Sequence, residues 1–201
     1  SDAGDVNGDG YDDVIVGASG YSGWAYIYFG GTYMNNVADV TMTDENIREY
    51  FGESVSGAGD VNGDGYDDVI VGASQFDLIT GTGKAYIYYG GTIMNNIADV
   101  TFTGETPQSY FGTSVSKAGD LNGDGYDDVI VGASQYSSGT GRAYIFYGGL
   151  SMNNVADVTM TGESANNLFG VYVSSAGDVN GDGYDDVIIG AVGYNNEPGR
   201  G

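Results

Sequence analysis

This 201-residue chain has no cysteine, no histidine, two prolines and only five basic residues. Without Cys there is no disulfide framework and no thiolate chemistry. Without His or Cys, a Ser-His or Cys-His nucleophile is excluded within these residues. Lys84 and Lys117 are the only lysines. The reading is therefore not an enzyme. Set against 28 acidic residues, the five basic ones leave a formal net charge of −23. Such a chain cannot cluster Lys and Arg against phosphates, so nucleic acid is a poor partner. An anionic membrane surface is excluded on the same ground. No apolar run approaches the ~18 residues of a membrane-crossing helix.

What the chain does have is repetition. "DVNGDGYDD" occupies residues 5–13 and returns at 60–68, at 120–128 (as "DLNGDGYDD") and at 178–186. Each copy holds four Asp, so sixteen of the 28 acids sit in these loops. Carboxylates packed this closely repel one another unless something positive lies between them. The text around the loops repeats as well. The second unit runs "YFGESVSGAGD", the Asp loop, "VIVGAS", "GTGKAYIYYGG" and "MNNIADVTFTGE", and the third follows the same order. Loop starts are spaced by 55, 60 and 58 residues.

Each piece predicts a strand. "ESVSGAG" is rich in small residues and suits a crowded position. "DVIVGA" is a continuous β-branched run, which predicts a strand buried on both faces. "KAYIYYG" alternates with a period of two. "IADVTFTG", with Ile97, Val100 and Phe102, predicts an outer strand. Gly-Gly pairs at 30–31, 90–91 and 148–149 separate the third strand from the fourth. No sustained 3.6-residue period predicts a helix. Four strands per unit, in series, predict an all-β fold of β-propeller blades, with a β-sandwich array or β-solenoid as alternatives. The blades span 1–46, with its first strand truncated, 47–105, 106–163 and a half blade at 164–201.

The loop reads D-x-N-x-D-G-x-x-D. Its candidate side-chain ligands are Asp5, Asn7, Asp9 and Asp13; Asp60, Asn62, Asp64 and Asp68; Asp120, Asn122, Asp124 and Asp128; and Asp178, Asn180, Asp182 and Asp186. The main-chain oxygens of Tyr11, Tyr66, Tyr126 and Tyr184 complete the four sets. Gly at the sixth position permits the sharp turn. Hard oxygen donors in a flexible loop point to calcium, at four sites, rather than zinc, copper or magnesium. The twelfth position, Val16, Val71, Val131 or Ile189, lacks the Glu of a helix-loop-helix calcium site. The alternative is four acidic hairpin turns with solvated carboxylates. Asp12–Asp13 and its copies are paired acids, and the metal loop explains them better than catalysis does. Asp39, Asp99 and Asp157 read as strand-end or turn acids.

The order Phe-Gly, acidic loop, Gly-Ala-small resembles the FG-GAP repeat of integrin α-subunit β-propellers and their prokaryotic relatives. Phe51-Gly52, Phe111-Gly112 and Phe169-Gly170 carry the first half. Gly72-Ala73-Ser74 and Gly132-Ala133-Ser134 carry the second, with weaker matches at Gly17-Ala18-Ser19 and Gly190-Ala191-Val192. The resemblance implies a calcium loop in the hairpin between a blade's first two strands. It also implies calcium loops on one face, a usual ring of seven blades, and roles in adhesion and protein–protein recognition.

About three and a half units are present, so the chain is expected to be a fragment of a longer one or an unclosed piece. Unclosed blades invite self-association. Calcium sites of roughly 10⁻⁴–10⁻³ M affinity fill outside a cell and stay empty in the cytosol, so the expected location is extracellular or at the cell surface. The leading function is a calcium-stabilised module for adhesion or protein recognition. The alternatives are a self-assembling filament or surface-layer component, and a carbohydrate-binding or accessory propeller of a larger secreted enzyme. Tyr26, Tyr86 and Tyr144 recur at one register, which favours packing between blades over sugar stacking. Trp24 and the variable insert 74–83 are the candidate contact points.

Overall fold

In the computed structural model, described over residues 1–43, 50–74 and 81–193, the chain is a series of antiparallel meanders. Blade 1 contains β1 (Asp2–Gly4), β2 (Asp13–Ala18), β3 (Trp24–Tyr28) and β4 (Val40–Thr43). Blade 2 contains β5 (Phe51–Gly59), β6 (Asp68–Ala73), β7 (Lys84–Tyr88) and β8 (Val100–Thr103). Blade 3 contains β9 (Phe111–Gly119), β10 (Asp128–Ala133), β11 (Arg142–Phe146) and β12 (Val158–Thr161). Blade 4 contributes the pair β13 (Tyr172–Gly177) and β14 (Asp186–Gly190). The strands of each blade pair in chain order, so the all-β propeller pattern holds and the described residues form an incomplete ring.

The outer strand starts later than expected. It runs from Val100, while Ile97 is exposed in the turn before it. There Asn95 accepts the Ile97 N–H at 2.7 Å, an Asx turn that competes with the strand ladder. The helical assignment α1 (Tyr136–Gly139) has Ser137 and Ser138 at φ 50° and 60°, so it is a tight connection between β10 and β11 and not a regular helix.

The core lies between blades. Ile15, Ala25, Ile27 and Met42 of blade 1 face Val69, Val71, Tyr86 and Tyr88 of blade 2. Ile70, Ala85, Ile87 and Phe102 of blade 2 face Val129, Val131, Tyr144 and Phe146 of blade 3 in the same way. Phe102 stacks on Phe146 with ring centroids 3.9 Å apart. Phe51 and Phe111 are buried at matching points against Tyr86 and Tyr144, at 5.6 and 5.2 Å. The recurring Tyr of β7 and β11 is thus spent on packing.

Full burial of "DVIVGA" holds for β6 and β10 but not for β2, where buried and exposed residues alternate, nor for β14. The second face of this strand is covered by the preceding blade, and β2 has none before it among the described residues.

The Phe-Gly and Gly-Ala halves of each repeat meet between blades. A Cβ on Gly17 would lie 2.1 Å from the carbonyl oxygen of Gly52, and one on Gly72 2.1 Å from that of Gly112. Gly52 and Gly112 sit at φ 78° and 86°, where a side chain is strained. Each pair lets the first strand of one blade lie against the second strand of the blade before it.

Candidate metal-binding loops

Each acidic loop joins the first and second strands of its blade. In the first, Asp5 Oδ1 accepts the N–H groups of Gly8 and Asp9 at 2.8 and 3.1 Å, and its Oδ2 accepts that of Gly10 at 2.8 Å. Asn7 Oδ1 accepts the Asp9 N–H at 2.8 Å, and Asp9 Oδ1 accepts the Tyr11 N–H at 3.0 Å. Gly8 and Gly10 hold φ of 75° and 88°, which lets these nested turns coil round the Asp5 carboxylate. The bonds to the first Asp recur at 2.7–3.2 Å around Asp60, Asp120 and Asp178. For exposed Asp178, the Gly183 N–H leads in holding the carboxyl below its ordinary value.

The ninth residue lies beneath the loop. Asp13 Oδ2 accepts the Val6 N–H at 3.0 Å, and its Oδ1 accepts the N–H of Gly30 in the β3–β4 turn at 2.6 Å. Asp68 and Asp128 repeat both bonds, to Val61 and Gly90 and to Leu121 and Gly148. Asp186 accepts the Val179 N–H at 2.9 Å. Asp13, Asp68 and Asp128 are buried. Burial outweighs those bonds and pushes the Asp68 carboxyl up to about 7 and that of Asp128 up to about 6. A raised carboxyl favours the fold below its unfolded value of 3.8, and that advantage fades as pH climbs towards about 7 for Asp68. At neutral pH these buried carboxylates oppose folding unless a positive charge compensates them.

The structure thus brings the first, third and fifth positions together through shared amides and places the ninth below them as a staple. As the loops stand, no group of three or more His, Cys, Asp or Glu side chains among the described residues is arranged to hold a metal ion. The donor chemistry nevertheless fits a hard cation. A carboxylate or amide oxygen has two lone pairs. Asp5 Oδ2, Asn7 Oδ1 and Asp9 Oδ1 each accept one backbone N–H, which leaves one lone pair apiece.

The eighth residue has a different task from the one its pairing with the ninth implied. Asp67 Oδ2 accepts the Asp5 N–H at 2.9 Å, and the Asp67 N–H donates to the Asp5 carbonyl at 3.2 Å. Asp127 does the same for Asp60, and Asp185 for Asp120. Lys117 adds an ion pair to Asp127 at 2.9 Å. The seventh-position ring follows suit: a Cβ on Gly8 would lie 2.5 Å from Tyr66 Cε1, and Gly63 and Gly123 meet Tyr126 and Tyr184 likewise. Neighbouring loops are therefore wired in series along one edge of the blades. The eighth Asp recurs in all four copies while adding nothing to the alternate-residue ligand set, yet its adjacency to the ninth hides this separate task.

Asp39, Asp99 and Asp157 accept the N–H groups of Phe29, Tyr89 and Tyr147, each at 2.8 Å, as turn acids. Trp24 lies beside Tyr26 at 6.5 Å, where Lys84 and Arg142 lie over Tyr86 and Tyr144. Of the insert 74–83, residues 75–80 lie outside the described residues. At the other end of the blades, away from the acidic loops, the β8–β9 and β10–β11 connections border an open cleft of about 440 Å³ lined by Thr106, Gln108, Gln135 and Tyr136. Arg142 pairs with Glu105 at 2.8 Å beside it.

Serial four-stranded blades, joined face to face and carrying an acidic loop in each first hairpin, define a propeller-repeat protein. The chain belongs to the FG-GAP repeat family, which it matches over residues 1–33, 51–88, 111–146 and 170–201. It is 29% identical to integrin alpha-5 of Xenopus laevis over 204 residues, which cover 94% of this chain and 19% of that protein. It is 36% identical to integrin alpha-PS3 of Drosophila melanogaster over 158 residues, 73% of this chain and 14% of that one. With human integrin alpha-7 the identity is 34% over 163 residues, 78% of this chain and 13% of that protein. The chain thus spans less than a fifth of these relatives. No helix among the described residues is long and apolar enough to cross a membrane.

Proposed function

We propose that this chain is a calcium-stabilised extracellular module for adhesion or protein recognition, in which calcium is structural. The observation that carries the reading is the fourfold recurrence of one oxygen-rich loop with the same nested turns. Asp5, Asn7, Asp9 and Asp13, with the Tyr11 carbonyl, would hold the ion in the first loop, and their counterparts would do so in the other three. Bound calcium supplies positive charge to carboxylates that otherwise repel. The folded loops gather these oxygens and the unfolded chain does not, so binding free energy would pass into fold stability.

Recognition of a protein partner is assigned to the end of the blades opposite the acidic loops. The β8–β9 and β10–β11 connections there vary in sequence from repeat to repeat, as a specific contact surface requires. The integrin relatives favour protein over carbohydrate, and Tyr86 and Tyr144 are committed to packing.

Calorimetric titration of the metal-stripped chain with calcium tests the reading. Uptake approaching four ions per chain, with a rise in melting temperature, is expected. No uptake at millimolar calcium would return the loops to acidic turns.

A further inference from the structure

Every acidic loop carries an Asn-Gly pair at its third and fourth positions: Asn7-Gly8, Asn62-Gly63, Asn122-Gly123 and Asn180-Gly181. Such a pair can react with itself. The backbone nitrogen of the Gly attacks the carboxamide carbon of the Asn. A C–N bond forms, the N–H proton leaves with the carboxamide nitrogen as ammonia, and a cyclic succinimide remains. Water then opens the ring at one carbonyl or the other, giving aspartate or isoaspartate. Glycine favours the attack because no side chain shields its nitrogen. All four of these glycines are exposed, so water reaches the pair.

The folded loop holds both reacting groups. The Gly8 N–H donates to Asp5 Oδ1 at 2.8 Å, and those of Gly63, Gly123 and Gly181 donate to Asp60, Asp120 and Asp178 at 2.7 Å. To attack, this nitrogen must give up its proton. The resulting anion would sit at hydrogen-bond distance from a carboxylate, and like charges that close oppose each other. The carboxamide is held as well. In all four loops its Oδ1 accepts the N–H of the fifth-position Asp at 2.8–2.9 Å. In the first three its Nδ2 donates to the same Asp's Oδ2 at 3.3, 3.0 and 2.9 Å. Swinging the carboxamide onto the Gly nitrogen breaks these bonds.

We propose that the four Asn-Gly pairs are self-modification sites that the folded loop keeps closed, and that a loop released from its nested turns converts its Asn to aspartate or isoaspartate. Hydrogen bonds within the loop, with or without a bound ion, keep the site shut. The change runs one way. Aspartate adds a carboxylate to a loop that already holds four Asp. Isoaspartate routes the main chain through the side chain and adds a carbon between the third and fourth positions, which displaces the N–H groups that converge on the first Asp. Each loop thus keeps a chemical record of its own release.

Peptide mapping by mass spectrometry, resolving Asn, aspartate and isoaspartate, tests this. The chain is aged at neutral pH in buffer, where melts show it folded, and in guanidinium chloride. The four sites share the sequence N-G-D-G-Y-D-D, so in denaturant they are expected to react at one rate. In the folded chain each is expected to react at least about tenfold more slowly, the factor that one hydrogen bond to a charged group carries. Asp60→Ala removes the acceptor of the Gly63 N–H. Asn62 is then expected to react faster, while Asn122 and Asn180 in the same chain stay slow and report that their blades remain folded. Should that variant fail to fold, Asp120→Ala takes its place, with Asn122 as the site and Asn62 as the internal control. Equal rates for the wild-type chain in buffer and in denaturant overturn the proposal. So does a folded Asp60→Ala chain in which Asn62 reacts no faster than in wild type.

Discussion

The hexapeptide "DVIVGA" occurs as β2, β6 and β10, and the three copies do not live alike. In blades 2 and 3 every residue is buried. In blade 1 only one face is, with Ile15 inside and Val14 and Val16 out. Sequence is constant across this comparison, so neighbours decide the difference. Blades 2 and 3 each bury one face on the blade before and the other on the blade after, as in a one-dimensional array. Stability therefore resides in the contacts between blades, and among the described residues blades 2 and 3 bury more than blades 1 and 4.

The largest effect that could break this comparison comes from burying a charge. Val71→Asp places a carboxylate between blades 1 and 2 with no partner and is expected to cost about 4 kcal/mol or more. Val16→Asp, at the matching position of blade 1, is expected to change stability by about 0.5 kcal/mol or less in dilute solution. Urea denaturation of both variants measures this. Equal losses would show that β2 is covered in solution.

Calcium removal comes next. At millimolar calcium, sites of roughly 10⁻⁴–10⁻³ M affinity contribute about 0.4–1.4 kcal/mol each. Chelation is expected to lower the melting temperature, and four active loops bring the total to about 2–6 kcal/mol. Asp64→Ala should remove one site's share. A chain whose melt is indifferent to chelator would detach the loops from the stability of the blades.

The wiring between loops allows a finer comparison. Asp67→Ala strands the Asp5 N–H in the contact between blades and is expected to cost about 1–3 kcal/mol. Asp12→Ala, the same residue one blade earlier, has no preceding loop to release among the described residues. Its cost is expected to stay within about 0.5 kcal/mol. If the two variants melt alike, the Asp67 bonds are not holding blades together.

Much of this architecture was legible because it repeats. The spacing of the loops, the Gly-Gly turns and the alternation in "KAYIYYG" are enough to place the strands. The Tyr register announces packing, and Phe51 and Phe111 lie against those rings. Three things were not legible. Burial of Val14 depends on a blade that sequence periodicity treats as given. Ile97 looks like a strand residue until the Asn95 turn takes its N–H. The eighth Asp is masked by its neighbour, because a pair of adjacent acids gives no sign that one points into its own loop and the other grips the loop before it. The ninth Asp is also more than a ligand candidate, since two backbone bonds and deep burial make it a staple of the hairpin.

The smallest expected effect isolates a single contact. Gly8 and Gly181 occupy the same loop position, at φ 75° and 78°. Alanine at either site meets the same left-handed penalty, about 1 kcal/mol. Only Gly8 has a ring above it, for a Cβ there would lie 2.5 Å from Tyr66 Cε1, while one on Gly181 meets nothing within 4 Å among the described residues. Subtracting one variant's loss from the other's cancels the backbone cost and leaves the price of moving Tyr66. That difference is expected to be about 1 kcal/mol in dilute solution, with Gly8→Ala the less stable. Equal losses at the two sites would show that the Tyr66 ring moves aside without cost.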